Sequence, residues 1–333
     1  MIKIKRFIDC FVPITTCNMS CPYCYVTQMN LSHKGIPIFQ YSPEYIAKCL
    51  SKRRLGGICG INLCAHGETL LSKEMTDIIA ALLKEGHFVF IITNGTIDKR
   101  FDEIIKLPHR WLKRLFFKFS FHYFELLRLN LMDNFISNIQ KIKKVGCSYS
   151  IEITPYDDLI PNISDIKQFS MDNFAALCHI TVARDNAQEN LPILTSLSKE
   201  EYHKTWSTFD SQMFDYKLSV FGKKQTGYCC AGDLTVTMNL ETGDLKQCYQ
   251  GEYIQNLYKN RKEPIKWKPI GKNCPEPHCY NAHAFLTFGA IPELNSITPT
   301  YADMRNRVCT DGSEWLTPNM KKIMQTKLSA NKY

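Results

Sequence analysis

Through the first half of the chain, short apolar runs alternate with stretches that carry their apolar residues on one face. Phe7-Ile8-Asp9-Cys10-Phe11-Val12-Pro13-Ile14 reads as a buried strand. Ser42, followed by Pro43 and Glu44, opens a helix that runs to about Arg54. Ile58 to Cys64 is a strand, Ser72 to Glu85 an amphipathic helix, and His87 to Ile92 a third apolar run. Asp102 to Lys106 gives a short helix and Leu115 to Phe121 a strand. Met132 to Val145 sets Phe135, Ile136, Ile139 and Ile142 on one helical face before Gly146 stops it. Ser148 to Ile153 is a strand, and a helical stretch from Ile166 to Leu177 leads to a sixth, His179 to Ala183. Strands separated by helices need crossover connections, which makes the sheet parallel. About six such units predict an α/β fold, a partial (β/α)6 TIM-like barrel rather than the eight-fold one.

From about Phe221 the alternation ends. Leu234 to Leu240 and Leu245 to Cys248 read as two strands joined by the turn Glu241-Thr242-Gly243-Asp244. The pattern predicts a core domain over 1–215 and a small β-hairpin and loop domain over 216–290. A helical tail over 291–333 follows, in which Trp315 and Met320 to Met324 pack a helix on the core. At 333 residues, a core with an appendage is the expected organisation.

The candidate chemistry begins at Cys17-Asn18-Met19-Ser20-Cys21-Pro22-Tyr23-Cys24. The spacing C-x3-C-x2-C puts three thiolates on one tight loop, and three leave one metal position open where a structural site closes with four. A zinc knuckle is the alternative for the loop alone. Further polar groups follow later strands: His66-Gly67-Glu68-Thr69, then Thr93-Asn94-Gly95, then Ser120 and His122, which share a strand face. Taken singly these are an ordinary turn and hydrogen-bonded polar groups; their common place after successive strands is what counts, since ligands gather at the C-terminal mouth of parallel barrels.

Over roughly residues 5–185 this series resembles the radical S-adenosylmethionine (radical SAM) enzymes. The resemblance implies a [4Fe-4S] cluster on Cys17, Cys21 and Cys24, with S-adenosylmethionine on the fourth iron. It implies cofactor contacts from Tyr23, Gly67, Glu68, Thr93, Asn94, Ser120 and His122. Gly67-Glu68 matches the family's Gly-Gly-Glu-Pro element; a carboxylate suits the methionine ammonium, and a glycine lets the ligand approach the backbone. His66 replaces the family's first glycine and Thr69 its proline. Glu152 and Arg184, at the ends of the fifth and sixth strands, are candidates for substrate contact or for a surface ion pair.

In the C-terminal third, Cys230-x12-Gly243-x4-Cys248 resembles the opening of the SPASM domain of these enzymes. With only Cys274 and Cys279 following, the whole looks like the shortened twitch version. That likeness implies an auxiliary [4Fe-4S] cluster on Cys230, Cys248, Cys274 and Cys279. The closing pair is C-x4-C rather than C-x2-C, Cys229 competes with Cys230 as first thiol, and a zinc ribbon is the alternative. His278 and His283 read as structural polar groups.

Composition narrows the setting. The 44% hydrophobic and 22% charged fractions are those of a globular protein, and no apolar run is long enough to span a membrane. Fifteen cysteines without a signal peptide argue for a reducing, cytoplasmic compartment. Cys10, Cys49, Cys59, Cys64, Cys147 and Cys178 read as buried small hydrophobes. The net charge of +9 is scattered in short runs, which points to a solvated face or attraction of an anionic substrate rather than a nucleic-acid groove. The resemblance implies hydrogen abstraction from a polar small molecule (a sugar, cyclitol or nucleotide derivative) with net two-electron oxidation. A reducing partner such as flavodoxin or ferredoxin would supply the electron. The alternative is modification of a ribosomally made peptide, against which the expected absence of a leader-binding winged-helix domain before Cys17 weighs.

Overall fold

The computed structural model describes residues 3–31, 35, 36, 38–272 and 274–331. Among these, nine strands form one sheet. They are β1 (Arg6–Val12), β2 (Cys59–Ala65), β3 (Phe88–Thr93), β4 (Leu115–Ser120), β5 (Ser148–Ile153), β6 (His179–Ile180), β7 (Thr235–Asn239), β8 (Asp244–Lys246) and β9 (Tyr253–Asn256). Their order is β6-β5-β4-β3-β2-β1-β7-β8-β9. The first six pair in sequence order and in parallel, with helices in the crossovers, as the alternation requires. The order is open, with β6 at one edge and β9 at the other.

Three features differ from expectation. The sixth strand is only two residues long, because just Glu152 and Ile153 of β5 pair with it. Two helices, Lys199–Trp206 and Gln212–Val220, fill a stretch for which the sequence reading proposed no element; the first carries a capping box from Ser198 and Glu201. The C-terminal hairpin does not stand off as a separate sheet. β7 lies parallel to β1, from Phe7↔Thr235 to Phe11↔Asn239, covering the edge that β2 leaves open. The turn from β7 to β8 needs Gly243, whose φ of +81° disfavours any residue with a Cβ. A side chain there would also run into the Tyr258 ring.

The two faces of the sheet explain where chemistry sits. On the outer face Ile8, Cys10, Val12, Ile61, Leu63, Val89 and Ile91 pack under helices that contribute Met75, Ile79, Leu82 and Ile139. On the inner face Phe7, Phe88, Phe90 and Phe116 pack against Phe285, Phe288, Tyr301 and Met320. The Phe288 ring stacks 4.7 Å from Phe7, and Tyr301 lies parallel to Phe90 at 5.9 Å. Each such ring contributes about 1.5–3 kcal/mol by leaving water. The tail thus fills the N-terminal half of the inner face. Toward the strand C-termini the same face carries Asp9, Lys118, Ser120 and Glu152 instead. Cys64, expected to be buried with the other structural cysteines, is only partly buried and belongs to this polar half.

Candidate active site

The thiol loop and the turn after β2 are built against each other. Gly67 N–H donates to Ile14 O at 2.7 Å and Glu68 N–H to Thr16 O at 3.1 Å. A Cβ on Gly67 would lie 2.0 Å from Thr16 O. Glycine is therefore required by the loop's own backbone, a different reason from the ligand approach expected of it. Thr69, where the family has proline, accepts from Ala65 N–H at 3.0 Å and closes the turn. His66 packs its ring against Phe11 and Tyr25.

Glu68 is 2% exposed, and three donors converge on it. Leu70 N–H (2.9 Å) and Thr93 Oγ1 (2.6 Å) donate to Oε1, and Asn94 N–H (2.7 Å) to Oε2. Burial nevertheless pushes its pKa up, with these hydrogen bonds opposing. A carboxylate offers about four acceptor positions, so three internal donors leave room for one more. Asn94 also donates through Nδ2 to Asn18 Oδ1 (2.7 Å) and to Cys17 Sγ (3.8 Å). Thr96 and Asn18 complete that network, and Ser20 N–H donates to Glu125 Oε2 at 2.6 Å. Arg128 holds Glu125 through both carboxylate oxygens and keeps its pKa low. Asn18, Thr96 and Glu125 were not read from sequence. The i,i+3 spacing of Glu125 and Arg128 is a sequence signal that could have found one of them.

Cys17, Cys21, Cys24, Gly67, Glu68, Thr93, Asn94, Ser120 and His122 line one cavity of about 910 Å³, counted to its open mouth. Of the predicted cofactor contacts only Tyr23 stands behind it, its hydroxyl 2.7 Å from His122 Nδ1 and its ring against Tyr156. Burial pushes the His122 pKa down to about 4, so its imidazole is neutral. The three thiols lie within electrostatic reach of one another. Burial raises Cys17 to about 11 and Cys21 further, so each needs a metal to stand as thiolate at neutral pH.

A second cavity, of about 580 Å³ counted to its open mouth, is lined by Cys229, Cys248, Cys274 and Cys279. All four thiols are mutually within electrostatic reach, and burial holds Cys229 and Cys279 at about 12. Cys230 does not line this cavity; it packs in the inner core with Phe285 and Phe288. The chain is extended here, Cys229 pairing with Gly271 through N–H···O bonds of 2.9 and 3.0 Å, and consecutive residues of an extended chain point to opposite sides. Only one of the two cysteines can face the cavity, and it is Cys229. Among the described residues no three His, Cys, Asp or Glu side chains are arranged to hold a single ion. A four-iron cluster makes a different demand, each thiolate resting on its own iron, and both all-thiol sets suit that chemistry.

Between the two cavities lies the polar half of the inner face. Asp9 accepts from Asn62 Nδ2 (2.7 Å), Tyr249 Oη (2.7 Å) and Asn281 Nδ2 (3.0 Å), the last two being walls of the second cavity. Glu152 does not form the surface ion pair considered for it. It is held inside by Lys118 at 3.5 Å and by Arg305 at 2.5 Å, and these and other nearby cations depress its pKa strongly. Arg184 lines neither thiol cavity but a third one.

Residues 11–157 match the model of the Radical SAM superfamily. A comparison with curated proteins finds no match. Among solved structures, Streptococcus suis SuiB bound to S-adenosylmethionine is similar at TM-score 0.51 and 12% identity, over 78% of this chain and 64% of that one. SuiB bound to its precursor peptide SuiA gives the same values. Native anSMEcpe with bound AdoMet aligns at TM-score 0.50 and 14% identity, over 77% of this chain and 79% of that one. The chain spans just under two thirds of the SuiB length. At these identities the likeness is one of fold. The matched segment contains every residue named as lining the first cavity, and with the shared fold it supports a radical SAM domain over residues 11–157.

Proposed function

We propose that the chain uses S-adenosylmethionine and two [4Fe-4S] clusters to oxidise a polar small molecule by two electrons. The first cluster belongs on Cys17, Cys21 and Cys24, and the second on Cys229, Cys248, Cys274 and Cys279. The observation that carries the reading is the convergence of three thiols and the Glu68 carboxylate on one cavity at the strand C-termini. When bound, the first cluster and S-adenosylmethionine supply a 5′-deoxyadenosyl radical competent to take hydrogen from an unactivated C–H bond.

The chain's own part is positioning and shielding. Glu68, held by three donors, offers its remaining acceptor position to the methionine ammonium. Asn94 and Glu125 fix the thiol loop from two sides. Met19, Val26 and Ile92 give the cavity apolar wall that limits water near the reacting centre. A flavodoxin- or ferredoxin-type protein is the proposed electron donor. The second thiol site is the proposed acceptor for the electron left on the oxidised substrate. Peptide modification is the runner-up.

Anaerobically reconstituted protein given S-adenosylmethionine and a strong reductant is expected to form 5′-deoxyadenosine. The Cys17→Ala, Cys21→Ala, Cys24→Ala triple variant is expected to form none. Equal cleavage by the triple variant would refute the assignment.

A further inference from the structure

A third cavity, of about 320 Å³ counted to its open mouth, opens between the end of β6, the helix Gln212–Val220 and the loop 278–283. Arg184, Lys217, His278, Tyr280 and His283 line it, and among the described residues no carboxylate does. The Arg184 guanidinium lies within electrostatic reach of Tyr25, Tyr249 and Tyr280, and makes no hydrogen bond or ion pair to another described residue. Lys217 Nζ donates to Thr181 Oγ1, a neutral acceptor. The carboxylate within reach of Lys217 is Glu152, already shared by Lys118 and Arg305. His278 is 5% exposed, and its Nε2 has no partner among the described residues.

Lys118, Lys217 and Arg305 thus share the one carboxylate of Glu152, and Arg184 stands near Lys217 with none of its own, in a part of the protein largely shut off from water. Uncompensated charge in such a place is costly, and an anion brought in with the substrate would offset it. The strain registers on Lys217, whose pKa burial and the neighbouring cations push down to about 7 while Glu152 opposes. The pocket is shallow and small even counted out to its open mouth, so a group entering it is a small one. Cys279 forms part of the same wall, so a group held here lies beside the second thiol site.

We propose that this cavity is the subsite for an anionic group of the substrate, a carboxylate or a phosphate monoester on a small polar molecule, with Arg184 and Lys217 as its charged contacts. The proposal rests on the radical-enzyme reading above. The test is titration of reconstituted protein with inorganic phosphate and, separately, acetate, followed by calorimetry or phosphorus NMR, with chloride as control. Saturable binding of one or both is expected, and Arg184→Met and Lys217→Met should each weaken it at least tenfold. Lys217→Arg, which keeps the charge, should restore most of it. Preference for phosphate marks a phosphorylated substrate, and preference for acetate a carboxylate. No saturable binding at concentrations roughly tenfold above a millimolar Kd, or binding equal in both methionine variants, overturns the subsite. Formation of 5′-deoxyadenosine by the unaltered protein, measured alongside, separates the two readings. Cleavage without anion binding overturns the subsite alone, whereas anion binding without cleavage keeps it and overturns the radical chemistry.

Discussion

Gly67→Ala is the most economical perturbation of the first site, because it adds one methyl group and removes nothing. The new Cβ would stand 2.0 Å from Thr16 O and 2.5 Å from Thr16 C. Both are main-chain atoms and neither can rotate aside. To reach the 3.0 Å below which such contacts are essentially never seen, the thiol loop and the β2 turn must part by about 1 Å. That movement breaks or lengthens the two bonds joining them, Gly67 N–H to Ile14 O and Glu68 N–H to Thr16 O. At about 0.5–1.5 kcal/mol net each, the loss comes to about 1–3 kcal/mol. For a chain somewhat larger than the domains that lose about 2–4 °C per kcal/mol, a fall in Tm of several degrees follows. Function should suffer more than stability, since functional groups tolerate only about 0.5 Å of misplacement. The assay is iron content after anaerobic reconstitution, S-adenosylmethionine affinity by equilibrium dialysis, and a melt. Gly67→Ala should bind less iron and bind the cofactor at least tenfold more weakly. If iron, affinity and Tm all match the unaltered protein, the claim that these loops depend on a bare backbone at 67 is refuted.

Two other outcomes follow from the site geometry. Cys229→Ala should cost about half of the roughly eight irons that two clusters require, while Cys230→Ala should keep them; the opposite result, or about four irons with one zinc in the unaltered protein, would remove the second cluster as drawn. Glu125→Ala should loosen the thiol loop by removing a charge-assisted acceptor from Ser20 N–H, at about 1.5–3 kcal/mol, with Glu125→Gln milder, and iron retention on dilution reads the difference.

The parts of this architecture that were legible in the sequence are those governed by local rules. The Ser148–Ile153 strand and the Met132–Lys144 helix lie where their apolar periodicity places them, within a residue. The thiol loop, Gly67-Glu68 and the polar groups after β3 and β4 all line one cavity because each follows a parallel strand and faces the same mouth. What escaped depends on distant pairing. Thr235–Asn239 reads as a hairpin strand, and nothing local says that it will pair with β1 rather than stand apart. Adjacent Cys229 and Cys230 are indistinguishable by spacing; the bridge from Cys229 to Gly271 decides which one turns toward the cavity. Arg305 lies in a tail without a motif and matters only because the tail folds back over the inner face to reach Glu152.

An ionisable group in the middle of the apolar run over residues 7–12 would ordinarily be a cost, and Asp9 shows why this one is kept. It sits on the inner face just where aromatic packing gives way to polar groups. Its three hydrogen bonds run to β2 through Asn62 and to the walls of the second thiol cavity through Tyr249 and Asn281. Residues more than two hundred positions apart are thereby fixed to one rigid strand, the same strand whose end launches the thiol loop. In the proposed reaction, a radical formed at one site and an electron accepted at the other would require the substrate to be held between two centres that do not drift apart. In this chain that constancy is supplied by β1 itself: pairing with β2 on one edge and β7 on the other, and a single carboxylate pinning the second cavity to the face between them.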